Sequence, residues 1–121
     1  SSATYTIYVD PVPEATTSGS TTICQNASYT LSPTEADQQY GSILWTHNGQ
    51  GSITGINTLT PGYAAHAADA GGVVTLTMTV TSTNTCTGQT DQATYNINID
   101  RLPTAMAGGS TAICQDNSYT L

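Results

Sequence analysis

The sequence predicts an all-β protein, a Greek-key sandwich of about seven short strands set in a tandem array. Three observations predict it. Val, Ile, Leu and Tyr alternate with Thr and Ser over several runs, the pattern of half-buried strands. Charged residues make up only 7%, with a single Arg and no Lys, so the Glu-, Lys- and Leu-rich heptads of helical bundles are absent. The chain also repeats itself: Ala3–Leu31 aligns without a gap on Ala93–Leu121, at an offset of 90 residues, with 17 of 29 positions identical. Chance would give roughly two or three matches in so biased a composition. The identities include Tyr5/Tyr95, Asp10/Asp100, Pro13/Pro103, Gly19/Gly109, Cys24/Cys114, Gln25/Gln115 and Tyr29/Tyr119.

Taken in order, Ala3–Val9 alternates and stops at Asp10-Pro11, as its copy Ala93–Ile99 stops at Asp100. The Pro-containing segments that follow, 11–13 and 101–103, read as short stiff junctions, because Pro fixes φ and cannot extend a ladder. Thr16–Cys24 is an edge strand interrupted by Gly19; Gln25-Asn26-Ala27 is a turn; Ser28–Ser32 is the next strand, stopped by Pro33. Ile43–Thr46 carries the sole Trp, and Asn48-Gly49 is the pair favoured in tight hairpins. Ser52–Thr54 and Thr58–Thr60 read as short strands, and Tyr63–Gly72 as an Ala-rich connection with one helical turn. Val74–Thr81 is the clearest strand: Val74, Leu76, Met78 and Val80 face in, Thr75, Thr77, Thr79 and Thr81 out. Asn84–Gly88 turns the chain, and Asp91–Ile99 returns. The expected domain boundaries are therefore 1–10, the last strand of a preceding repeat; 11–100, a complete repeat; and 101–121, the start of the following one.

The formal charge of −7 argues against nucleic acid, whose phosphates need many cations, and against an anionic lipid surface. No run approaches the ~18 apolar residues of a membrane span, so membrane insertion is not expected.

The runs STTICQNASYTL, ILWTHNGQGSI, YAAHAADAGGVVTLTMTVTSTNTC and ATYNINIDRLPTAMAGGSTAIC together resemble the immunoglobulin-like or PKD-like tandem repeats of very large secreted surface proteins, of adhesin or filament type, of Bacteroidota-type bacteria. The resemblance covers the whole chain. It implies an immunoglobulin-like sandwich, an extracellular or cell-surface location, and structural or adhesive work without catalytic residues. The partners it implies are neighbouring copies in a head-to-tail fibre and, for an adhesin, a cell-surface or glycan ligand. The alternative is a carbohydrate-binding or accessory module of a secreted enzyme. Antibody-type domains join two facing strands by a disulfide beside the Trp; here packing of Trp45 with Leu31, Leu76, Met78 and Val80 is expected to take its place.

Cys24, Cys86 and Cys114 become intelligible once the period is applied. Cys114 copies Cys24, so each repeat owns two cysteines, and even usage in a secreted protein favours disulfides. A zinc site lacks the CxxC or clustered His it needs, and a nucleophilic thiol lacks a neighbouring cation. Two pairings stay open. One joins Cys24 to Cys86 within a repeat; the other joins Cys24 of one repeat to the Cys86 equivalent of the following one.

The remaining candidates have plainer readings. His47 and His66 fall in loops, with nothing in the spacing to make a catalytic pair. Asp10 and Asp100 occupy equivalent junctions, but one Asp per junction is too few for calcium, which wants ~6–8 oxygens; no metal or cofactor is expected. Asn26-Ala27-Ser28 fits an N-glycosylation acceptor, yet its copy Asp116-Asn117-Ser118 does not, which favours turn chemistry. The Thr row from Thr75 to Thr87 reads as a solvent-facing strand surface before it reads as a ligand array. Tyr5, Tyr8, Tyr40 and Tyr63 are candidate sugar-stacking rings in a chain whose core must do without Phe.

Overall fold

A computed structural model describes residues 2–103. The Cys114 site and residues 104–121 of the expected following repeat lie outside the described residues. The chain is all-β. Nine strands run in order: β1 (Glu14–Thr17), β2 (Ser20–Cys24), β3 (Ser28–Thr30), β4 (Ala36–Gln39), β5 (Gly41–His47), β6 (Ser52–Thr54), β7 (Gly62–Ala64), β8 (Val73–Ser82) and β9 (Thr90–Asp100), with one 3-10 turn at Ala67–Asp69. They form a four-stranded sheet of order β2-β9-β8-β5, a three-stranded sheet β3-β7-β6 and the pair β1-β4. All pairings are antiparallel except β2 with β9.

The long strands form where the alternation is strongest. On β8, Val74, Leu76, Met78 and Val80 are buried and the intervening Thr residues are not. β9 places Tyr95, Ile97 and Ile99 on the same inner face, and β5 adds Trp45. The two smaller sheets add Ala15, Ala36 and Tyr63 to one continuous core, which Leu31 completes. Trp45, Leu31, Leu76, Met78 and Val80 are each at most 2% exposed, and full burial of an aliphatic side chain of this size stabilises by roughly 1.5–3 kcal/mol. The Trp45 indole Nε1 donates to the Thr58 carbonyl at 2.7 Å, so this ring is buried without an unpaired donor.

Several elements differ from the sequence expectation. Thr16–Cys24 is two strands, not one interrupted edge. The left-handed φ of Gly19 lets the chain leave β4 and join β9. Nine strands replace the expected seven because that split adds one, β4 and β7 add two, and Thr58–Thr60 is lost; ADQQ has low β-propensity and GYA is short, and both are held by neighbours. Thr58–Thr60 is a loop, and its Thr58 carbonyl accepts from Trp45 instead of joining a ladder. Asn48-Gly49 does not close a hairpin, since β5 and β6 belong to different sheets. The glycines of this turn serve close approach: a Cβ on Gly51 would stand 1.9 Å from the Ala64 carbonyl oxygen. Residues 3–9 are in no sheet, and Tyr5, Ile7, Tyr8 and Val9 are exposed.

Candidate functional site

Chemistry-bearing residues gather at the two ends of β9. At its start, the β8–β9 loop holds Asp10 and Pro11. Thr85 donates to Asp10 Oδ2 through both its amide (3.2 Å) and its hydroxyl (2.5 Å), and Asn84 Nδ2 donates to the Pro11 carbonyl at 2.9 Å. The Thr85 hydroxyl and then its amide hold the Asp10 carboxyl below the usual range. The Cys86 Sγ donates to the Asp10 carbonyl at 3.5 Å. This carboxylate, considered above for calcium, is engaged as the acceptor of a loop, and no group of three or more His, Cys, Asp or Glu that could hold a metal exists among the described residues.

At the other end, β2 runs alongside β9 to the register pair Cys24↔Asp100. The Gln25 amide donates to the Asp100 carbonyl at 2.8 Å, and the Gln25 Oε1 accepts from the Leu102 amide at 3.3 Å. Asn26 adopts φ 64° in the turn that follows, which closes with the Ala27 amide on the Cys24 carbonyl at 3.1 Å. Asn tolerates this left-handed conformation better than most residues, which accounts for its presence. Gly71, with φ 81°, lies under Arg101, where an added Cβ would meet the guanidinium at 2.8 Å. Cys24 is exposed, Cys86 half-buried, and both are free thiols.

Two carboxylates inside the fold escaped the sequence reading. Asp69 accepts from the Tyr63 hydroxyl at 2.6 Å, the Gln50 amide at 2.7 Å and the His66 amide at 3.1 Å. Burial raises its pKa, yet these donors outweigh burial and leave it below the ordinary value. Burial, with Asp69 as hydrogen-bond partner, pushes Tyr63 up to about 12. Glu35 accepts from the Tyr29 hydroxyl at 2.5 Å, from the Tyr95 hydroxyl, and from the amide and hydroxyl of Ser32 at 3.0 and 3.2 Å. Here too burial opposes ionisation, and the backbone and tyrosine donors win, with a pKa of about 2. Burial, then Glu35, raises Tyr95. Each carboxylate ties separate elements together: Glu35 links β3, the β3–β4 loop and β9, and Asp69 links the β5–β6 loop, β7 and the 3-10 turn. The only sequence signal was the spacing of His66 and Asp69, which make a reciprocal capping box around that turn.

The other candidates are not brought together. His66 Nδ1 accepts from the Ala68 amide and His47 Nδ1 from the Gly49 amide, so both imidazoles act as local caps. Tyr63 is fully buried, so the four tyrosines do not form one platform. On the outer face of the four-stranded sheet, Thr77 lies between Thr46 and Thr94, and neighbouring groups bond across strands, Thr75 to Asn96 at 3.0 Å and Gln92 to Thr79 at 3.1 Å. An open groove of about 420 Å³ runs along Thr16, Ser18, Pro33, Thr34 and Asp37, lined by hydroxyls and carboxylates without an aromatic ring. Comparison with protein families, curated proteins and solved structures finds no match to this chain.

Proposed function

We propose that this chain belongs to a tandem array of immunoglobulin-like repeats that builds an extracellular filament, stalk or adhesin, with structural and not catalytic work. The observation that carries the reading is the fate of one sequence in two places. Tyr95, Ile97 and Ile99 are at most 1% exposed within β9. Their copies Tyr5, Ile7 and Val9 have the same inward register but are 90, 74 and 87% exposed. Residues 3–9 carry every feature of a closing strand and lack only the sheet, which a preceding repeat would supply. The strand order supports an immunoglobulin-like topology. β2-β9-β8-β5 against β3-β7-β6 corresponds to one sheet of strands G, F and C with an edge segment of strand A, facing strands B, E and D. The buried Trp45 on β5 then occupies the place of the strand-C tryptophan.

The test is a series of chains in which residues 11–100 are repeated once, twice and three times in direct succession. Small-angle scattering and electron microscopy are expected to give a rod that lengthens by a constant increment per repeat. A compact particle, or independently tumbling beads, overturns the fibre reading. Selective retention on a glycan array by the single repeat, without rod formation by the series, favours the carbohydrate-binding alternative.

A further inference from the structure

The structure describes one repeat, but the internal duplication lets both sides of a junction be read from it. Asp100 ends β9 in this repeat, and Asp10 is its copy. Around Asp100 stand Cys24, its register partner on the adjacent strand, and Gln25, whose amide bonds the Asp100 carbonyl at 2.8 Å. At Asp10 stands Cys86, whose Sγ is 3.5 Å from the same carbonyl in the copy. Where residues 3–10 close a preceding repeat as residues 93–100 close this one, a single aspartate is approached by Cys24 from behind and by Cys86 from ahead.

From this geometry we propose that Cys24 of each repeat forms a disulfide with the Cys86 equivalent of the following repeat; the proposal rests on the tandem reading above. The amide next to the Cys24 equivalent and the Cys86 sulfur share one carbonyl oxygen, so they stand no further apart than those two contacts laid end to end. Both cysteines therefore flank one carbonyl, and a disulfide asks their Cα atoms to come to about 5.5–6 Å. The bond within one repeat is excluded by the same strand. Cys24 lies beside the end of β9 and Cys86 before its start, and eleven extended residues span roughly 33 Å.

The chemistry needs an oxidant, and a low-molecular-weight disulfide such as oxidised glutathione serves. One cysteine thiolate attacks it, giving a mixed disulfide and one glutathione thiolate. The second cysteine thiolate then attacks the cysteine sulfur of the mixed disulfide and expels the other glutathione. Two cysteines are oxidised, and one disulfide is reduced to two thiols. The exposure of Cys24 permits the first attack.

The experiment uses the full chain extended by one period, in two variants. The first keeps only Cys24 of the leading repeat and Cys86 of the trailing one; the second keeps Cys24 and Cys86 of the leading repeat; all other cysteines are Ser. After equilibration with a glutathione redox buffer, the first is expected to lose both free thiols and give one cross-linked peptide on non-reducing peptic mapping. The second is expected to keep both thiols within the chain. Bond formation in the second variant, or free thiols in the first, overturns the staple. Scattering from the same samples separates the two ideas: a rod with free thiols ends the staple and leaves the array, whereas independent beads end both.

Discussion

Ala93–Ile99 and Ala3–Val9 share a pattern and, at four positions, the same residues, yet one is the second strand of a four-stranded sheet and the other lies in water. The difference lies in what flanks them. β9 has β8 on one side and β2 on the other, and the core beneath it. Residues 3–9 have none of these. Alternation makes a segment fit to be a strand, but a lone strand gains neither ladder hydrogen bonds nor burial to offset the entropy of ordering it.

The largest difference between the two segments is expected at the isoleucine in their middle. Ile97→Ala should destabilise the 121-residue chain by about 2–5 kcal/mol in urea titration, and Ile7→Ala should stay within about 0.5 kcal/mol. With a preceding repeat attached, Ile7→Ala should acquire the larger cost; a cost at Ile7 that stays small in that longer chain would sink the equivalence.

Next in size is the hydroxyl pair. Tyr95→Phe removes a donor from Glu35 and should cost about 1–3 kcal/mol, whereas Tyr5→Phe should leave the melting temperature unchanged. Acid sharpens the same point. Glu35 is held at about 2 when folded against an ordinary value of 4.5, so its contribution is complete above about pH 4.5 and lost as pH falls toward 2. Asp69, also lowered, acts in the same direction. Thermal melts from pH 6 to pH 2 (a range of roughly four units, wide enough to span both states) should show a progressive fall, and Glu35→Gln should flatten it while lowering stability at neutral pH.

The smallest effect is expected at the paired aspartates. Asp10→Ala frees the Thr85 amide and should speed its hydrogen exchange without moving the melting temperature; Asp100→Ala should leave the Thr85 exchange rate as it is.

Much of this fold is legible in the residues. β8 can be read from strict alternation, and Leu76, Met78 and Val80 follow from the same period. The Gln25-Asn26-Ala27 turn follows from Asn and its copy Asp. What could not be read depends on partners distant in sequence. Ala36–Gln39 is a strand because β1 pairs with it, and β7 because β3 and β6 flank it. Asn48-Gly49 has the local chemistry of a hairpin, but Tyr63 and Ala64 pack against the adjoining glycines and divert the chain. The cysteines are the sharpest case. Their places at opposite ends of the fold are readable from the strand pattern, but the register pair Cys24↔Asp100 and the contact of Cys86 with the Asp10 carbonyl are not, because both depend on residues 76 positions away.

The parallel pairing of β2 with β9 sets how this fold would answer a pull along the two strands. β2 and β9 run the same way, so force applied at the start of β2 and at the end of β9 would slide the two strands past each other lengthwise. The five rungs from Ser20↔Asn96 to Cys24↔Asp100 then bear the load together, in shear, instead of opening one after another like a zip.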